Sequence, residues 1–429
     1  MLVYVEQQTP RTRYVIEHVF GRMLGWELEW AEGLDEFIQA EGPKLVYGSR
    51  GMDGAYHVPD SGWLRGTGVP KGEVPCAGTG NEFRTFVSSA GHDLFASIFH
   101  LLALVDEVRC GTHDQHGRVP AEALLIVKHK AESTPLVDRW VLELATSLCA
   151  IFPGLPGPKR NFRHVLTVDV DNGLKYVGRP FHRAVGASLK DLRRSGKQAV
   201  AERWSARRGV VADPYAILPQ RMEEVRAKVD RAIVFFLMRG GGRYDHAADH
   251  RHPAFVQLVQ EVGRHAEIGL HPSYGSSDEQ DLMVRERRTL EGIHGAAVRI
   301  NRQHFLRWRM PETLRMMVDQ GFTEDHTLGF TDRVGFRAGT CTPFPWFDLE
   351  RNEETGLMLW PFAVMDSAIR EHLKLSVEQA EQPLKAMSEA VRMVDGTFVS
   401  VWHDRYLSGH REFVGWPELM KELVQHLHR

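Results

Sequence analysis

Short apolar strands alternating with amphipathic helices from about position 161 onward limit this chain more than any other feature. Residues 165–171, 232–237, 266–271, 298–305, 358–366 and 397–404 read as strands. Between them apolar residues recur at helical spacing, as at Phe255, Leu258, Val259 and Val262, and again at Leu314, Met317 and Val318 before Gly321. Parallel strands need long crossovers, and helical crossovers bury a sheet, so about six or seven βα units predict a parallel sheet or barrel.

The tract FPGLPGPKRN, residues 152–161, holds three prolines and two glycines and can continue neither a helix nor a central strand. It reads as a linker between two domains, 1–151 and 162–429. In the first, residues 45–48 and 55–58 read as strands, and 92–108 and 134–151 as helices, which makes a small α/β domain. Its tract 112–117 has the composition of a turn, and no chemistry is assigned to this domain.

Charge and hydropathy narrow the function. Lys and Arg number 53 against 56 Asp and Glu, with no long run of one sign, which argues against a nucleic-acid partner. The longest apolar stretch, residues 94–105, is interrupted by Ser97 and His100 and is too short to span a bilayer. The amino terminus carries polar and acidic residues where a signal peptide needs an apolar core, so a cytoplasmic protein is expected. Cys76, Cys110, Cys149 and Cys341 show no metal-knot spacing and read as packing residues.

Strand geometry places Asp169 and Asp171 on one face, two residues apart, at the carboxyl end of a strand whose Leu166, Val168 and Val170 face the other way. Two carboxylates held so close call for a cation or a shared proton. His271 ends the third strand, Arg302 and His304 share a face of the fourth, and His403 ends the last. Asp and His ligands without cysteine suit zinc, or another divalent transition metal, better than calcium or magnesium.

The order Thr167-Val-Asp169-Val-Asp171, Glu267-Ile-Gly-Leu-His271-Pro-Ser-Tyr274, Arg302-Gln-His304-Phe and Val401-Trp-His403-Asp404 resembles the polysaccharide deacetylase superfamily, the NodB-homology fold of carbohydrate esterase family 4. The resemblance spans about residues 161–428 and implies an irregular (β/α) barrel. With its tracts GLHPSY, RQHFL and GFRAGT, the chain looks closest to a bacterial branch in which an uncharacterised domain precedes the barrel. It implies Asp169 as general base, Asp171 and His271 as metal ligands and His403 as general acid, with Asp366 as the partner that raises the His403 pKa. The family's second histidine falls on Gly275, which cannot ligate a metal, and His304 is the candidate to replace it. The arginine that orients the base corresponds to Arg302 or to Arg337. The implied reaction removes an N-acetyl group from an amino sugar or N-acetylated glycan. The alternatives are a non-catalytic carbohydrate-binding protein on the same fold and a D-x-D glycosyltransferase. Trp402 and Trp416 stand between sugar stacking and core packing.

Overall fold

The computed structural model describes residues 1–428. Near the amino terminus, Glu29–Trp30, Leu2–Val5, Lys44–Gly48 and Tyr56–Pro59 pair in that order as a parallel sheet. Thr9 caps the helix Pro10–Glu17 reciprocally with Thr12, which satisfies the free N–H groups of the first turn. The helix read over 92–108 is two helices, Leu94–Leu102 and Val105–Arg109, because Leu104 takes a left-handed φ of 53° between them. Residues 152–161 carry no helix or strand.

The second sheet has nine strands: Phe344–Asp348, Glu353–Leu359, Glu324–Asp325, Ile300–Asn301, Glu267–His271, Arg231–Leu237, Arg163–Val170, Thr397–His403 and Val364–Met365, in that order. All neighbours are parallel except the first pair. The chain passes from Leu359, near one end of this sheet, to Val364, at the other end, through four residues. The five steps from Leu359 to Val364 reach no more than about 18 Å, so the sheet must curl until its ends nearly meet. Trp360 N donates to Asp325 O and Ala363 N to Val399 O, so this short bridge spans the gap. The result is an irregular barrel.

Two strand readings need correction. Residues 358–366 are not one strand; Pro361 lacks the N–H a central strand requires, and the run divides between the two ends of the sheet. Residues 298–305 pair only at Ile300–Asn301, because Phe305 and Leu306 turn the chain with φ of 61° and 52°.

Side-chain alternation builds two cores. Val165, Ile233, Phe235, Val399 and Val401 fill the barrel interior, while Leu166, Val168, Val170, Val234, Phe236, Phe398 and Trp402 pack outward under the helices. Gly269 is required by this interior: a Cβ there would sit 2.5 Å from the Phe235 ring. The outer core runs unbroken from the amino-terminal sheet to the last helix, Trp416–Leu427. Trp402 and Trp416 both belong to it, at 1% and 2% exposure. Tyr14 donates to Pro345 O at 2.8 Å and packs tilted against Phe347, and Arg160 ties the 152–161 segment to the buried Asp138 at 2.7 Å.

Candidate functional site

The inward face of the barrel changes from apolar to charged toward the carboxyl ends of its strands. Above Phe235 lies Arg302, fully buried, with its guanidinium carbon 4.5 Å from the ring centroid. Nη1 donates to Asp169 Oδ1 at 2.8 Å and to Thr167 Oγ1 at 2.9 Å, and Nε to His326 O at 2.9 Å. Burial pushes the Asp169 carboxyl upward, but the charge of Arg302, followed by His271 and His403, outweighs it and holds the pKa below the ordinary carboxylate value. Asp169 is therefore an anion of fixed orientation.

One layer higher, Asp171 splits its two oxygens between two tasks. Oδ2 accepts from Arg405 Nη1 at 2.7 Å. Oδ1 is buried with no hydrogen-bond donor, and faces His271 Nε2 at 3.5 Å and His304 Nε2 at 3.6 Å. The far nitrogen of each ring is anchored, His271 Nδ1 by the Arg302 carbonyl at 2.6 Å and His304 Nδ1 by Asp245 Oδ1 at 3.1 Å. Anchoring Nδ1 fixes the ring and presents Nε2 to the same point from both sides. One donor atom from each of Asp171, His271 and His304 lies within 4.8 Å of the others. An unpaired carboxylate oxygen facing two aimed imidazole nitrogens is a donor set that fits a divalent metal ion.

His403 ends the strand beside Asp169. Its Nδ1 lies 2.6 Å from Asp366 Oδ1, and its backbone N–H donates to Asp366 Oδ2 at 2.7 Å. Burial opposes the charged ring, but Asp366 more than compensates and the pKa is pushed up to about 9. His403 Nε2 points into the cleft, 3.9 Å from Asp171 Oδ2.

Of the residues singled out in the sequence, Asp169, Asp171, His271, Arg302, His304, Asp366 and His403 thus meet at one end of the barrel. Arg337 does not. It pairs with Glu107 at 2.5 and 3.0 Å and donates to Val119 O, joining the amino-terminal region to the barrel. That placement settles which arginine stands beside Asp169. Gly275 lies in the 3-10 turn Tyr274–Ser277. Asp325 and His326 bind no open site: Asp325 accepts from Asn301 and Thr327, and His326 lies 3.2 Å from Glu324.

Asp245 and Arg405 escaped the sequence reading. Asp245 follows GGGRY, a run that signals only a turn, and Arg405 follows a strand-end histidine without any spacing of its own. The cleft above the cluster has a volume of about 430 Å³, in the range of small-ligand sites. Tyr244 and Tyr274, stacked at 4.2 Å between centroids, stand near it with Phe305. Arg118, from the amino-terminal region, reaches its rim and donates to Phe305 O at 2.9 Å, so that region borders the cleft.

An α/β chain with an Asp/His cluster at the carboxyl ends of its parallel strands is the class these features define. Residues 1–153 match the model of a family of unknown function, DUF7033. No curated protein matches the chain. Among solved structures, a protein of Mycobacterium smegmatis assigned as a polysaccharide deacetylase is similar at 15% identity and TM-score 0.42, over 64% of this chain and 86% of that one. One of Pseudomonas aeruginosa PAO1, assigned likewise, is similar at 12% identity and TM-score 0.37, over 62% and 84%. A CE4 family pseudoenzyme of Bacillus anthracis is similar at 11% identity and TM-score 0.32, over 62% of each chain. Likeness at this level gives the chain no activity, which has to be read from its own side chains.

Proposed function

We propose that this chain is a metal-dependent hydrolase that removes N-acetyl groups from an amino sugar or N-acetylated glycan. The observation that carries the reading is the unpaired Oδ1 of Asp171, facing the anchored imidazoles of His271 and His304. These three residues would hold a divalent ion, and their nitrogen and oxygen donors suit zinc. When bound, such an ion lowers the pKa of a coordinated water toward 7 and polarises an acyl oxygen.

The remaining side chains supply the proton transfers. Asp169, ionised and fixed by Arg302, takes the proton of the water that attacks the acetyl carbon. His403, protonated at neutral pH, gives its Nε2 proton to the amine as the C–N bond breaks. Acetate and a free amino sugar leave. Arg405 binds Asp171 Oδ2 and leaves Oδ1 turned toward the histidines. A D-x-D glycosyltransferase would leave His271, His304 and His403 without a task.

Acetate release from N-acetylglucosamine oligomers tests the reading, with Asp169→Asn compared to the wild type after loading both with zinc. The expected result is release by the wild type and a loss of 10²–10⁴-fold or more in the variant, with metal content unchanged. Equal release by both proteins would remove Asp169 from the mechanism.

A further inference from the structure

The helix Phe181–Arg207 breaks at Gly196, where φ is 79° and ψ is −176°. Its two arms lie against each other: Arg203 pairs with Asp191 at 2.7 Å, and Trp204 Nε1 donates to Ser188 Oγ at 3.1 Å. Ser188 and Asp191 thus mark the covered side of the first arm, together with the buried Ala184. Helical spacing gathers Phe181, Val185, Leu189 and Leu192 into one stripe beside that side. They are 67%, 42%, 62% and 48% exposed. Arg183, Lys190, Arg193, Arg194 and Lys197 lie outside the stripe and form no ion pair among the described residues. Residues 181–197 therefore carry five basic side chains and one acidic one, in a chain whose net charge is −3.

We propose that this arm docks on an anionic phospholipid surface, lying in the headgroup plane with its apolar stripe inserted and its basic side chains on the phosphates. Four large apolar side chains in a row at a helix surface mark an interaction site, and the surrounding charge selects what covers them. A second copy of the arm would bring like charges together, whereas an anionic bilayer satisfies both faces at once. The arm is amphipathic and interfacial; no described helix is long and apolar enough to cross a membrane. Its foot is bonded to the barrel loop beside the cleft. Arg183 Nη2 donates to Gly241 O at 2.8 Å and Arg179 to His246 O, and Asp245 of the same loop anchors His304. The foot of the arm thus lies at the cleft end of the barrel. The inference does not depend on the reaction catalysed there.

Flotation of the full chain with vesicles tests it, using phosphatidylcholine alone and phosphatidylcholine with about 30% phosphatidylglycerol. Binding is expected to the anionic vesicles only, weakening several-fold as NaCl rises from about 0.1 to about 0.5 M. Each charge removed in Arg193→Ser and Arg194→Ser should weaken partitioning roughly fivefold. The pair Leu189→Ser and Leu192→Ser, both exposed and so compatible with the fold, should lower it about tenfold or more, with unchanged far-UV circular dichroism. No binding to anionic vesicles, equal binding to neutral ones, or wild-type binding by the leucine variant would overturn the proposal. So would a dimer in light scattering that the leucine variant converts to monomer, since a second copy would then cover the stripe.

Discussion

His403 keeps its proton because two contacts from Asp366, one to the ring and one to the backbone N–H, hold it against a carboxylate inside the barrel. With its pKa raised to about 9, the ring is charged below that pH and neutral above it. Activity that relies on His403 as an acid therefore falls as pH rises through about 9. In Asp366→Asn that attraction is lost, leaving burial and Arg405 opposed only by Asp171, so the alkaline fall moves to lower pH. A pH–rate profile of the two proteins reads this directly. At this scale the site was legible where a side chain sits at a strand end on a polar–apolar alternation, as Asp169, Asp171, His271 and His403 do. Asp245 and Arg405 were not, because anchoring a ring or a carboxylate oxygen needs only proximity, and proximity across about 60 to 230 residues leaves no local pattern.

Elements set where these residues stand. Each inward position of the strand Arg163–Val170 climbs one layer, from Val165 through Thr167 to Asp169, and the strand Thr397–His403 matches it with Val399, Val401 and His403. Gly269 lets the Phe235 ring fill the layer that supports Arg302. Gly269→Ala forces the ring or the strand to shift, so a loss of about 1–3 kcal/mol in urea unfolding is expected, with weaker catalysis because Arg302 rests on that ring. The long parallel strands were readable from period-two alternation. The two-residue strand Glu324–Asp325 was not, and Ile300–Asn301 was read too long as 298–305, since so short a run has no period to detect. The break between Leu359 and Val364 was marked by Pro361, yet the jump from one end of the sheet to the other is a property of closure that no local run contains.

The whole molecule shares a core between its amino-terminal sheet and its barrel, and the segment 152–161 is fastened rather than loose. Asp138 is the charged centre of that junction, accepting from Arg160, Thr340, Thr342 and the Cys341 N–H. Burial pushes its carboxyl upward, but Arg160 and the hydroxyl donors outweigh this and hold its pKa below the ordinary 3.8. A depressed carboxylate pKa contributes stability that is fully present above about pH 3.8 and is lost as pH falls through the lower, folded-state value. Asp138→Ala leaves Arg160 buried without its partner, and a loss of about 3–5 kcal/mol is expected at neutral pH, with a flatter acid limb in stability against pH. Charge patterning, by contrast, was read from the sequence only as a balanced total; the cations of residues 181–197 share one arm, and which side chains stay exposed beside them depends on how Gly196 folds the helix Phe181–Arg207.

In the proposed function, Asp171, His271 and His304 hold a divalent metal at the carboxyl end of the barrel. Elemental analysis of the purified full chain beside His304→Ala, both reloaded with zinc and then desalted, tests it most directly. About one ion per wild-type chain is expected, with most of it lost from the variant, since one of three ligands is gone. A wild type that retains no metal, or a variant that retains as much as the wild type, would contradict it.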